Sequence, residues 1–76
     1  MPKTKVDPTI SADLAAALAE YGTWLTYPQA AELTCTSART LKRETAAGRL
    51  PCYQIGRARV LRVKTADVFA LIERVR

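Results

Sequence analysis

Two helix-start signals stand eleven positions apart, at Thr26 and Ser37, and only Thr34, Cys35 and Thr36 are left to separate the helices they open. Thr26 is followed three residues later by Gln29, the capping-box spacing in which each side chain satisfies the other's free amide. Pro28 does no harm there, because first-turn amides have no helical partner. Ala30 and Leu33 then turn inward, and Ser37 is a fresh N-cap residue for a second short helix. Two short helices joined by about three residues form a helix-turn-helix.

The helix after Ser37 divides its faces cleanly. Ala38, Leu41 and Thr45 follow the apolar three-and-four spacing, whereas Arg39, Lys42, Arg43 and Ala46 follow the same spacing on another side. Its end is equally defined: Gly48 supplies a left-handed C′ residue, Leu50 a hydrophobic capping contact, and Pro51 cannot continue the helix.

Downstream, Tyr53 and Ile55 alternate with Cys52 and Gln54, and Leu61 and Val63 alternate with Val60, Arg62 and Lys64. Gly56 to Arg59 lies between the two runs, which predicts a β-hairpin with arginines at its tip. Thr65 is expected to cap a last helix whose apolar face is Val68, Leu71, Ile72 and Val75. At the other end, Ile10, Leu14, Leu18 and Tyr21 form one stripe of a helix that starts near Asp7 and Pro8 and stops at Gly22. The expected organisation is a flexible N-terminus over 1–8, a helix over 9–22 and a winged helix-turn-helix over 23–76. The fold class is mainly α with a small β-hairpin.

Charge narrows the function. The net charge is +5, but residues 1–36 hold two bases against four acids, and residues 37–64 hold eight bases against one, Glu44. The positive excess belongs to the middle of the chain, where a polyanion would bind. With 76 residues, about half of them apolar, there is room for one modest core. No apolar run approaches the roughly 18 residues of a membrane span, and "MPKTKVDPT" lacks the apolar block of a signal peptide. The expected location is the cytoplasm.

Catalysis and cofactors find no support. There is no histidine, no Cys-x-x-Cys pair, no Gly-rich phosphate loop and no activated-nucleophile pattern. The expectation is a non-enzyme without metal, cofactor or small-molecule substrate. Cys35 and Cys52 are expected to be small buried thiols, and a cytosolic setting argues against a disulfide between them.

The candidate interface is therefore the basic face of the third helix. An α-helix fits the major groove of B-form DNA, arginine can donate twice to guanine, and Ser, Thr and Lys reach phosphates or base edges. A solvated helix face is the bland alternative; the tight turn before the helix and the arginine-tipped hairpin after it favour DNA. Arg57 and Arg59, two apart, would project together from extended backbone, one toward a minor groove and one toward phosphate. Solvated turn residues guarding a sheet edge are the alternative. Arg62 and Lys64 are weaker phosphate candidates, and Arg49 suits the helix C-terminus electrostatically. Trp24 and Tyr27 are read as core and staple residues, because single-strand binders interleave several aromatics with bases and this hairpin offers only Tyr53.

The run from Trp24 to Ile72, with "LTYPQAAEL", "TSARTLKR", "GRLP", "IGR" and "ADV" in order, resembles the MerR-like winged-helix domain of phage and plasmid excisionases. The extra N-terminal helix and the alanine- and arginine-rich composition look most like the small Xis proteins of mycobacteriophages. The resemblance implies a non-catalytic recombination directionality factor that bends attachment-site DNA and works with a phage integrase so that excision proceeds. By the same analogy Ser37, Arg39, Thr40, Lys42 and Arg43 read the major groove, and Arg57, Arg59 and Arg62 belong to the wing. Adjacent copies would load side by side on DNA. The chain departs from the family pattern in its turn, where Thr34 and Cys35 replace an apolar residue and glycine. A small phage repressor of the same class, and a module that docks an acidic protein through the basic face, are the alternative functions. A ligand-sensing activator is not expected, since such proteins continue into a long dimerising coiled coil.

Overall fold

The computed structural model describes residues 8–73 and 75; the expected start at Asp7 and residues 1–7 of the expected flexible segment 1–8 lie outside the described residues, and Pro8 of that segment is the first residue of a helix. Four helices and three strands follow in the order α1 (Pro8–Tyr21), β1 (Trp24–Leu25), α2 (Tyr27–Thr34), α3 (Ala38–Ala46), β2 (Tyr53–Ile55), β3 (Val60–Lys64) and α4 (Thr65–Phe69). The strands form one antiparallel sheet in the order β1-β3-β2. With α2 and α3 packed together and the β2–β3 hairpin beside them, this is a winged helix-turn-helix.

The local signals hold at the helix-turn-helix. The Gln29 N–H donates to the Thr26 hydroxyl at 3.1 Å, and the Thr26 N–H donates to Gln29 Oε1 at 2.9 Å, closing the capping box. Ser37 caps α3 by accepting from the Thr40 N–H at 3.0 Å. Between them Cys35 takes the left-handed conformation, with φ of 57°. It adopts the backbone geometry that glycine supplies without a Cβ penalty, which is how the turn closes despite the substitution. The Thr36 N–H then reaches back to the Ala31 carbonyl at 3.0 Å. At the far end of α3, Gly48 has φ of 85°, the Arg49 N–H bonds the Glu44 carbonyl at 2.9 Å, and Leu50 is buried.

The core gathers Leu25, Tyr27, Ala30, Ala31, Leu41, Leu50, Val63 and Val68, with Leu33, Ala38 and Cys52 packed against it. Burial, and then the neighbouring Cys52 thiol, push the Tyr27 phenol above its ordinary range, partly opposed by its 2.6 Å hydrogen bond with the Thr45 hydroxyl.

Several expectations are corrected. The α1 stripe runs through Ala17, which is buried, while Leu18 stays 38% exposed, and α1 packs on α4. Thr65 does not cap α4. Lys64 occupies the N-cap position without a side-chain bond, and Thr65 is fully buried, donating its hydroxyl to the Gly22 carbonyl at 2.7 Å. The last helix ends at Phe69, which is buried, and two further i→i−3 turns carry the chain to Ile72. Ile72 and Val75 are exposed rather than part of a buried stripe. Cys35 is an exposed free thiol and Cys52 is half-buried, so neither is the buried thiol expected.

The sheet differs from a plain hairpin. Pairing of Tyr53 with Arg62, Ile55 with Val60, and Trp24 with Lys64 places these six on one face, while Leu25 and Val63 pair on the buried face. Tyr53 and Ile55 thus point away from Val63 and remain exposed. Trp24 is no core residue either: it is 39% exposed on the outer face, edge-on to Tyr53 with ring centroids 5.3 Å apart. Tyr27 is in the core as expected.

Candidate nucleic-acid interface

The α3 helix presents its bases because Leu41 holds it by the opposite side. Arg39, Lys42, Arg43 and Ala46 are all exposed, and Leu41 is buried. Arg39 and Arg43 lie one turn apart on the same strip. Lys42 sits on the flank toward α2, its Nζ 5.7 Å from the centre of the Tyr27 ring. A cation over an aromatic face is held in place while its charge stays available. Ser37 and Thr40 share a 2.9 Å hydroxyl–hydroxyl hydrogen bond at the helix start and are exposed.

The opposite flank of α3 faces α1. Thr40 and Glu44 border a groove whose far wall carries Asp13 and Glu20 of α1. Thr40 thus stands at the border between the basic strip of α3 and this groove.

Arg49, expected to complement the helix end through its charge alone, folds back on a side chain. Its Nε donates to Glu44 Oε1 at 2.6 Å and its Nη2 to Oε2 at 3.2 Å, the one ion pair among the described residues. That contact holds the Glu44 carboxyl below the ordinary carboxylate range and raises the Arg49 guanidinium.

At the wing tip Gly56, Arg57, Ala58 and Arg59 are exposed turn residues, and both Gly56 and Arg59 are left-handed, with φ of 68° and 59°. The alternation expected of Arg57 and Arg59 does not apply, because neither is in extended strand. Arg62 lies farther back, on the outer face of β3, with its Nη1 donating to the Leu61 carbonyl at 2.8 Å. Lys64, the weaker phosphate candidate, is held over aromatic faces as Lys42 is: its Nζ lies 5.5 Å from the ring centres of both Trp24 and Tyr53. This aromatic clamp was missed in the sequence, since β1 is only two residues long and shows no alternation.

The model of the helix-turn-helix domain family matches residues 24–76, which is most of the chain. The chain belongs to the helix-turn-helix domain family. A domain of this family is a sequence-specific DNA-binding unit, and double-stranded DNA is its partner. The helix-turn-helix match begins at β1, so α1 is an addition outside it that packs on α4. No curated protein and no solved structure gives a significant match. Among the described residues no helix is long and apolar enough to cross a membrane, and no group of three or more His, Cys, Asp or Glu is placed to hold a metal ion.

Proposed function

We propose that this chain is an excisionase, a non-enzymatic recombination directionality factor that binds and bends attachment-site DNA in concert with a phage integrase. The observation that carries the reading is the pairing of an exposed basic strip on α3, Arg39 and Arg43, with two exposed arginines at the wing tip, Arg57 and Arg59. The helix-turn-helix family includes excisionase-like DNA-binding domains, and the ordered motifs from Trp24 to Ile72 support the narrower assignment.

In this reading Arg39 and Arg43 enter the major groove and donate to guanine edges, with Ser37, Thr40 and Lys42 on phosphate or base edges. Arg57 and Arg59 reach the adjacent minor groove or backbone, and Arg62 supports them from β3. Bending a DNA site takes a few kcal/mol, which several small phosphate-clamping units on adjacent sites together supply. Arg59 adds a physical hint, since its left-handed backbone is one that glycine or asparagine would adopt more cheaply.

The test is a gel-shift and bending assay on phage attachment DNA against random DNA of equal length at physiological salt. Stepwise cooperative shifts with bending on attachment DNA alone are expected, with affinity falling steeply as salt is added. Tight single-site binding at a promoter without bending would make the protein a repressor. Absence of duplex binding even in dilute salt would make the basic face a protein-docking surface.

A further inference from the structure

The groove beside α3 has a composition at odds with the rest of the molecule. It encloses about 670 Å³ between α1, the α2–α3 turn and α4, with Ala17, Leu33, Leu41, Val68 and Phe69 among its apolar lining. Three of the chain's seven acids border it, Asp13, Glu20 and Glu44, of which Glu44 is paired with Arg49, while none of the described bases lines it, in a protein of net charge +5. Asp13 and Glu20 are exposed, lie seven residues apart and so stack on one face of α1 across two turns, about 10 Å. Neither makes an ion pair among the described residues.

We infer that this groove is a docking site for a basic amphipathic helix of another protein. Charge selects the sign: an apolar floor beside the carboxylates of Asp13 and Glu20 on the α1 wall, unpaired among the described residues, complements a segment whose apolar edge is flanked by lysines or arginines. The walls select the backbone. They are helices whose amides are already bonded, so the groove offers no strand edge to an extended peptide, and a segment that satisfies its own backbone is the one that fits. A small polar ligand is disfavoured because the floor lacks converging free polar groups; the Thr34 and Thr36 hydroxyls are bonded to each other at 2.8 Å. Since Thr40 and Glu44 belong to both α3 and the groove wall, a docked helix lies along the recognition helix. The groove adjoins the proposed DNA-reading face and shares Thr40 with it, but it does not depend on which DNA the domain reads.

The experiment uses the full chain without DNA and two synthetic amphipathic peptides of about 18 residues, long enough for measurable helicity. One carries leucine and lysine; its twin carries glutamate at every lysine position. Amide chemical shifts of the protein are followed on titration. Saturable shifts at Ala17, Leu33 and Val68 with the lysine peptide, none with the twin, and at least a tenfold weaker affinity in the double variant Asp13→Lys, Glu20→Lys are expected. Both substituted residues are exposed, so the variant retains its fold, which its own spectrum verifies. Equal binding of the twin, or shifts confined to the outer sheet face, would overturn the inference. Concentration-dependent shifts at the same groove residues without peptide would assign the groove to a second copy. Shifts there on deleting residues 74–76 would assign it to the chain's own tail.

Discussion

The Thr65 hydroxyl donates to the Gly22 carbonyl at 2.7 Å, and the Thr65 N–H donates to the Thr23 carbonyl at 2.8 Å. This double contact ties the start of α4 to the link between α1 and β1, more than forty residues earlier in the chain, in a place without solvent exposure. Thr65→Val keeps the shape but leaves the Gly22 carbonyl without that donor. A loss of about 1–3 kcal/mol is expected, measured by urea unfolding. An unchanged midpoint would show that the carbonyl finds another donor.

Cys35 holds a left-handed backbone at the helix-turn-helix corner, and the cost falls on its Cβ. Cys35→Gly removes that cost while enlarging the unfolded ensemble, so a net stabilisation of up to about 1 kcal/mol is expected. Thermal unfolding checks it. A lower midpoint would mean that the thiol side chain contributes more than the strain costs.

Arg59 poses the same backbone conflict at the wing tip, where a DNA contact is proposed. Arg59→Gly is expected to raise stability by up to about 1 kcal/mol and to weaken DNA binding, with a shallower dependence of affinity on salt. If affinity and salt slope both stay the same, Arg59 touches no phosphate.

The two sides of α3 separate stability from binding. Leu41→Ala should cost roughly 2–5 kcal/mol, as truncation of a buried leucine does. Arg39→Ala or Arg43→Ala should leave the unfolding midpoint within about 0.5 kcal/mol of the parent while weakening specific DNA binding. Unfolding curves and gel shifts on the same three variants check both halves.

Glu44 has its carboxyl depressed by the Arg49 hydrogen bond, so its contribution exists above the ordinary carboxylate value and is lost as pH falls through the lower folded value. Wild type should therefore exceed Glu44→Gln in melting temperature near neutrality, with the gap closing on acidification below about pH 4. The gap is expected to be small, since the pair is solvent-exposed. A gap independent of pH would assign the effect to something other than ionisation.

The helix-turn-helix was legible because its determinants act over three to five residues. Thr26 with Gln29, Ser37 with Thr40, and Gly48 with Leu50 each specify a boundary from their own neighbourhood, and the spacing of Leu41 against Arg39 and Arg43 assigns the faces of α3. Charge distribution along the chain pointed to the same helix and to the wing. What escaped was every feature made by partners far apart in sequence. A two-residue strand has no period to read, so the pairing of Trp24 with Lys64 and the resulting aromatic clamp had no local signature. Thr65 has the residue type of a helix cap, and only the arrival of Gly22 beside it makes it a buried cross-link. The choice of Ala17 over Leu18 likewise depends on how α1 packs on α4. Within the helix-turn-helix, capping and periodicity are set within one turn of chain, so the sequence alone determined them there. Sheet register, the partners of buried hydroxyls and the acidic groove exist only once distant segments meet, so the tertiary structure decided them.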